Sequence, residues 1–489
     1  VVEVDVTKLV RWREKNKDGV LAMVTPATTI NIINEERDPR DLMDTSMAIK
    51  VVKFGGSSLA DAKQIQKAAA IIQADPQRRY VVPSAPGKRF SGDTKVTDML
   101  YACYALAEAG VEFQKELEAI QARYDDIIAG LGIQLSLADE FAVIAENFRK
   151  RAGKDYAASR GEYLNGKVIA AYLGFPFVDA ADVIFFQPNG SLDDQKTEEA
   201  LRARLTDLEN AVIPGFYGCG ADGYVKTFSR GGSDVTGSIV AGAVKAALYE
   251  NWTDVSGFLV ADPRIVENPA VIRTITYTEL RELSYMGASV LHEAAIFPVR
   301  AAGIPINIRN TNAPEEPGTM IVPDSSDEEV SAYTITGIAG KKQFTSINIH
   351  KDLMNSQIGF CRDVLSVLAD HQIPLEHMPS SIDSMTVIVD TEHLKGIEEQ
   401  IRTEIIKAVQ PDSMDVEENI ALIAVVGRGM CRTRGVAARI FAALAHARIN
   451  VRMIDQGSSE LNVIVAVKEA DFEQAIRCIY DMFVNSVAE

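Results

Sequence analysis

Two short clusters in the 489-residue sequence combine residue types suited to a highly charged anion. The first is Lys53-Phe54-Gly55-Gly56-Ser57-Ser58. Its glycines let backbone N–H groups approach a ligand closely, and its lysine adds a full positive charge. It reads as a phosphate cradle or, equally, as a tight turn beside a solvated lysine. The second is Ser229-Arg230-Gly231-Gly232-Ser233-Asp234. Arg230 can grip a carboxylate or phosphate through two parallel hydrogen bonds, and Asp234 can serve a lysine or a metal. On its own this cluster also fits a capped helix with a surface Arg–Asp pair. Smaller sets lie between and beyond. Glu162, in Arg160-Gly161-Glu162-Tyr163, can hold an ammonium group or stabilise a helix start. Ser84 belongs to the rigid run Pro83-Ser84-Ala85-Pro86-Gly87-Lys88, and Thr97 is either a ligand contact or a helix cap. Thr253-Asp254 and Asp262-Pro263-Arg264 suit the rim of a nucleotide site, although alone they are ordinary turn residues.

Positioning these groups requires a particular order of elements. Ile49 to Val52 predicts a buried strand. Asp61 to Ile72 predicts a helix, with Ile65, Ala68, Ala69 and Ile72 on one face. The first cluster thus joins a strand to a helix, whose unpaired N–H groups favour phosphate. Tyr80 to Val82 predicts a second strand, a helix opens at Lys95, and 111–154 reads as helical almost throughout. Glu162 falls at the start of a further helix. Phe175–Val178 and Ala211–Phe216 read as strands around a helix from Thr197 to Leu208, and another helix follows Asp234. This βαβ rhythm predicts an α/β sandwich with a mainly parallel sheet. Gly218-Cys219-Gly220-Ala221-Asp222-Gly223 matches a dinucleotide fingerprint, but a strand-like segment follows it instead of a helix. It therefore reads as a hairpin turn.

Composition narrows the function further. The net charge of −18 argues against nucleic acid or an anionic membrane as the main partner. Five scattered cysteines suggest free thiols in a reducing compartment, and no apolar run approaches membrane-spanning length. With no secretory h-region, a cytoplasmic location is expected. Residues 1–46 carry no recognisable motif and read as an extension peripheral to function. The six histidines show no ligand spacing on one element, so no protein-held metal is expected. Asn310–Glu329 reads as a linker, and beyond it the sequence repeats at an offset of 76 residues. Gly359 pairs with Gly435, Leu368 with Leu444, Ile373 with Ile449 and Val387 with Val463. Two copies predict two small, paired βαββαβ modules.

Lys53-Phe54-Gly55-Gly56-Ser57-Ser58, Arg160-Gly161-Glu162, Arg230-Gly231-Gly232-Ser233-Asp234, Thr253-Asp254 and Gly287-Ala288-Ser289-Val290-Leu291-His292 occur in this order. Together they resemble the aspartate kinases of the amino-acid-kinase superfamily, from about Ile49 to the C-terminus. No P-loop and no protein-kinase signature is present. The resemblance implies transfer of the γ-phosphoryl of ATP, with its magnesium, to the side-chain carboxylate of L-aspartate. It implies that Lys53 stabilises the transferring group, that Asp234 positions Lys53, and that Gly55, Gly56 and Ser57 cradle phosphate. Thr253, Asp254 and Arg264 would contact ATP. Arg230 would hold the substrate α-carboxylate and Glu162 its ammonium. Ser84, Thr97, Gly231, Gly232 and Ser233 would complete that pocket. Two departures fall on the nucleotide side: Leu259 where the family often has Tyr, and Ser289 where many members have Lys. The repeats resemble ACT domains. That implies homo-oligomerisation and feedback by an amino acid, lysine or threonine, or else a purely structural pairing module. The effector pocket would use Met354, Gln357, Gly359 and Phe360 with Ser380 and Ser381. In the second copy, Gly427-Arg428-Gly429-Met430 and Gln456–Glu460 would match. The expected domains are 1–46, a catalytic domain 47–330, and ACT domains 331–415 and 416–489.

Overall fold

The structure is a computed structural model and describes residues 48–229, 231–288, 296–324 and 334–485. The expected extension 1–46, Arg230 and the Ser289–His292 part of the last motif lie outside them. A seven-stranded sheet forms the catalytic half, in the order β3-β2-β1-β6-β8-β9-β7. Its strands are β1 (Lys50–Phe54), β2 (Arg78–Pro83), β3 (Ala211–Val212), β6 (Leu248–Thr253), β7 (Thr274–Thr276), β8 (Ile306–Asn310) and β9 (Thr319–Val322). All pairs are parallel except β8 with β9. A hairpin of β4 (Tyr217–Cys219) and β5 (Val225–Thr227) stands beside the sheet, so the fingerprint-like glycines do form a hairpin turn. The helices are α1 (Ala62–Gln73), α2 (Val96–Glu108), α3 (Gln114–Leu131), α4 (Ala138–Arg149), α5 (Lys154–Leu173), α6 (Asp194–Leu205), α7 (Gly232–Ala243) and α8 (Tyr277–Tyr285).

Strand alternation decides which helix each β1 side chain meets. Val52 and Phe54 enter the core beneath α1 to α5, whereas Val51 enters the core that includes Ile239 and Val240 of α7. Lys53 shares parity with Val51 and so faces α7.

Several sequence expectations need correction. Phe175–Val178 contributes only an isolated bridge, Phe177 to Val212, and the strand expected over 211–216 ends at Val212. Phe216, at a φ of 81°, then turns the chain into the hairpin. The stretch read as a linker supplies β9, and β7 has no counterpart in the expectation, because strands of three and four residues carry too little alternation to register.

The regulatory half is one five-stranded antiparallel sheet, β11-β10-β12-β14-β13. It comprises β10 (Gly337–His350), β11 (Ser384–Asp390), β12 (Ser413–Val426), β13 (Met453–Asp455) and β14 (Asn462–Lys468). The helices α9 (Phe360–Asp370), α10 (Glu398–Val409), α11 (Val436–His446) and α12 (Phe472–Phe483) cover it. The 76-residue repeat holds for β10 with β12 and for α9 with α11, each at both ends. Gly359 and Gly435 cap the paired helices at φ values of 90° and 82°, a region that suits glycine. Both long strands serve both copies. Phe344–His350 pairs with β11, while Gly337–Lys341 pairs with the end of β12, whose Ile420–Val426 pairs with β14. Copy one is therefore inserted within copy two, and the expected boundary at 415 falls inside β12.

Candidate active site

Lys53 and Asn251 are register partners on β1 and β6, and both point toward the start of α7. Lys53 Nζ lies 2.6 Å from Asp234 Oδ1, and both side chains are largely buried. Asn251 sits between them: its Nδ2 donates to Asp234 Oδ1 at 2.8 Å and its Oδ1 accepts from Lys53 Nζ at 3.4 Å. The sequence reading missed Asn251, whose signal was a pair of polar residues, Glu250 and Asn251, in an otherwise apolar strand. Glu250 serves structure, taking two bonds from Arg78 at 2.8 and 3.2 Å.

Above this triad opens a cleft of about 600 Å³, lined by Gly55, Gly56, Ser57, Ser84, Thr97, Glu162, Thr253 and Asp254 among others. The glycines are sterically required. A Cβ on Gly56 would lie 2.8 Å from Ala85 O, and one on Gly87 would lie 2.5 Å from the Gly56 carbonyl carbon. Gly87 N–H donates to Gly56 O at 2.8 Å and clamps the two loops together. The cradle differs from expectation in one respect. Gly56–Leu59 form a 3₁₀ turn, and α1 begins only at Ala62, where the Asp61 side chain accepts from Gln64 N–H. The N-terminus of α1 thus carries its own carboxylate cap, and the cradle is the glycine loop itself. Lys88 and Lys95 also line the cleft and add cations that the motifs did not single out. Arg123 anchors this wall from below by donating to the carbonyls of Gly87 and Thr94.

Glu162 lies in the middle of α5, which begins eight residues earlier, and not at a helix start as expected. It is 6% exposed, and its Oε2 has no hydrogen-bond partner. Burial pushes its carboxyl up to about 8, against the opposing pull of backbone N–H bonds, including that of Ala85, and of Arg160. A Cβ on Gly161 would lie 2.7 Å from Ala85 Cβ, so only glycine lets α5 come this close to the loop. Arg160 turns away from the cleft. Its guanidinium lies over Tyr163, Tyr156 and Tyr217, at 4.3, 4.7 and 5.4 Å from the ring centres.

Gly231 caps α7 at a φ of 58°, and Gly232 packs against Phe216 with no room for a side chain. A Cβ on Gly215 would lie 2.6 Å from that of Ser233, which fixes the start of α7 beside the loop after β3. Arg264 is not brought to the cleft. With Leu259 it lines a second cleft, of about 660 Å³, between the catalytic sheet and the regulatory half, where it pairs with Asp262 at 2.6 Å. In the regulatory half, Asn355 N–H donates to Ile382 O at 3.0 Å, joining the two segments expected to form the effector pocket. Gln357, Ser380 and Ser381 are exposed there, whereas the side chains of Met354 and Phe360 belong to the core of copy one. Only the backbone of those two residues is available to a ligand. Among the described residues, His350, Asp352 and Asp412 form a cluster spaced for a metal, brought together from the ends of two strands.

A mainly parallel sheet, a glycine cradle at the end of its strand β1 and a lysine anchored by a carboxylate are features that suit a phosphotransferase. The profile of the amino acid kinase family matches residues 48–310, more than half of the chain, and an ACT domain profile matches residues 423–483. Aspartokinase 3 of Bacillus subtilis (strain 168) is 40% identical over 454 residues, covering 90% of this chain and 99% of its own. The crystal structure of Clostridium acetobutylicum aspartate kinase is similar at a TM-score of 0.82 and 53% identity, over 89% of this chain and 100% of that one. Aspartokinase III of E. coli, solved with aspartate and ADP, gives 0.66 and 26%, over 89% and 99%. The same enzyme solved with lysine and aspartate gives 0.64 and 26%, over 88% and 99%. The chain belongs to the aspartokinases.

Proposed function

We propose that this aspartokinase transfers the γ-phosphoryl of MgATP to the side-chain carboxylate of L-aspartate, giving 4-phospho-L-aspartate. The observation that carries the reading is Glu162. A buried carboxylate with an unpartnered oxygen in the cleft suits the α-ammonium of an amino-acid substrate. Lys53, held by Asp234 and Asn251, offers the cation that two reacting anions require. Gly55, Gly56 and Ser57 would hold the phosphates, with Thr253 and Asp254 at the nucleotide rim. Ser84, Thr97, Gly231, Gly232 and Ser233 would shape the aspartate pocket, with Arg230 on its α-carboxylate. Glu162 and Asp254 are the carboxylates among the lining residues, and Glu162 is poorly ionised at neutral pH. This fits a magnesium ion that arrives with the phosphates and keeps mainly phosphate and water ligands.

Regulation by lysine, with threonine the alternative, would act at the surface of copy one around Gln357, Gly359, Ser380 and Ser381. The E. coli relative solved with lysine and aspartate supports lysine as the ligand. Leu353, Ile358 and Ile382 stand exposed on the same module and support a homo-oligomer formed through it. Among the described residues no helix is long and apolar enough to cross a membrane; the location proposed is the cytoplasm, which the scattered free cysteines support. The domain limits proposed are a catalytic domain from 47 to 330 and two interleaved ACT copies beyond it. The test is hydroxylamine trapping of the acyl phosphate, with L-aspartate, ATP and each effector added singly. Aspartyl hydroxamate suppressed by one amino acid supports both halves of the reading. Hydroxamate formed only from another acceptor removes the aspartate assignment.

A further inference from the structure

Each copy of the repeat has a loop leading from its long strand into a short 3₁₀ turn, Met354–Ser356 in copy one and Met430–Arg432 in copy two. The two loops differ in what holds them. In copy one the N–H groups of Asp352 and Leu353 are taken by carboxylates of the same module, Asp412 at 2.7 Å and Asp383 at 2.8 Å. In copy two the counterpart of Asp352 is Arg428, and its N–H is taken by a carboxylate from the catalytic half, Glu279 Oε1, at 2.8 Å.

Glu279 is fully buried on α8. Its Oε2 accepts from Thr276 N–H at 2.9 Å and from Thr276 Oγ1 at 2.8 Å, and so closes the capping box that starts the helix. Its Oε1 also accepts from Thr336 Oγ1 at 2.7 Å, just before β10. One carboxylate therefore binds a catalytic helix, the entry to the regulatory sheet and the copy-two loop. The surroundings leave no space for a ligand on that side. A Cβ on Gly427 would lie 2.7 Å from Thr336 N, and one on Gly429 would lie 2.7 Å from Thr334 O. Thr336 N–H further donates to Val426 O at 2.7 Å.

We propose that residues 427–430 of the copy-two loop form a joint. The carboxylate of Glu279 occupies it, and through it strain in the strands shared by both copies reaches the catalytic half. In copy one the corresponding N–H groups stay bonded within the module, so among the described residues no such tie runs from its loop to the catalytic half. The claim about inhibition rests on the effector reading above; the claim about the joint does not.

Two full-length variants test it. Glu279→Gln turns one acceptor oxygen into a donor. Thr336→Val removes a bond between the halves but leaves the capping box intact, and so serves where the first variant folds poorly. Hydrogen exchange over 427–430 should accelerate about tenfold or more in both, with 351–356 unchanged. Equal acceleration in both loops, or in neither, overturns the joint. With lysine and threonine as probes, the half-inhibitory concentration should rise about tenfold while uninhibited turnover and effector binding by equilibrium dialysis stay within about twofold. Faster exchange at 427–430 with unchanged inhibition overturns the coupling role. If neither amino acid binds or inhibits the wild type, the effector reading fails, and the exchange result alone decides the joint.

Discussion

Lys53 is a charge fixed before substrate arrives. Asp234 on α7 and Asn251 on β6 hold its ammonium in place, so little reorganisation remains when phosphate charge shifts toward the acceptor. Lys53→Ala should lower turnover by about 10²–10³, the loss typical of one preorganised charge contact. Initial rates on a variant whose melting transition is intact will show this, and near-normal turnover would remove Lys53 from the reacting centre. Glu162 makes a prediction that depends on pH. Its folded carboxyl titrates near 8 against an ordinary value of 4.5, so the folded state holds a proton that the unfolded chain loses between those values. The sign is destabilising as pH rises: the native state loses stability from about pH 4.5 to about 8, and Glu162→Gln should melt above wild type by a margin that widens over that window. An ammonium substrate needs the ionised form. Aspartate affinity should therefore weaken as pH falls below about 8, with proton release on binding, and Glu162→Gln should lose that dependence along with most affinity. A pH-independent aspartate affinity in wild type would place the ammonium elsewhere. Lys53, Asp234 and Glu162 were legible because charged residues beside glycines stand out in sequence. Asn251 was not, because its role comes from a register partnership with Lys53 that only the folded sheet creates.

At the scale of elements, the loop and not the helix forms the cradle. Asp61 caps α1 outside the cleft, so Asp61→Ala should cost about 1 kcal/mol of stability and leave the KM for ATP unchanged. A clear rise in that KM would mean that the N-terminus of α1 does hold phosphate. Gly56→Ala should have the converse balance. Its Cβ meets backbone atoms of Ala85 and Gly87 that cannot swing away, so ATP binding should collapse together with about 1–3 kcal/mol of stability. Binding of a fluorescent ATP analogue and a denaturant melt will separate the two effects. The long periodic elements and the 76-residue repeat were readable, because helical stripes and paired glycines recur over many residues. The start of α5 was not. Its first two turns bury Ala157, Ala158, Ser159 and Arg160, small or polar residues that give no apolar stripe, so the helix appeared to begin at Glu162. Equally hidden was the sharing of β10 and β12, since a repeat in sequence says nothing about which copy a long strand pairs with.

For the whole molecule, the continuity of the core determines which parts can be removed. One apolar cluster runs from the catalytic sheet through Leu280, Leu283 and Met286 of the α8 region into Ile338, Leu422 and Phe472 of copy two. Polar ties cross the same boundary: Ile338 N–H to Val260 O at 2.7 Å, Ala270 N–H to the Tyr480 hydroxyl at 2.9 Å, and Asn462 Nδ2 to Glu282 at 2.7 Å. Truncation at about 335 would bare several fully buried aliphatic side chains. Each is worth roughly 1.5–3 kcal/mol, and together they approach the whole stability of a domain, about 5–15 kcal/mol. Such a fragment should aggregate and cannot serve as a test of regulation. Copy one differs in having its own core, with Ile347, Val364, Leu368, Val387 and Ile401 at its centre. It is inserted between Phe344 and Ile420, which are register partners on adjacent strands. Replacing residues 345–419 with an Asn-Gly turn would close β10 onto β12 as a two-residue hairpin and leave the continuous core in place except for Ile388. The resulting chain should melt cooperatively and keep aspartate phosphorylation within about an order of magnitude of wild type, while losing inhibition by lysine and threonine. Inhibition that survives in that chain would move the effector site out of copy one. Loss of all activity in a well-folded chain would show that copy one also supports the catalytic half, through ties such as the Tyr285 hydroxyl to Glu376 at 2.6 Å.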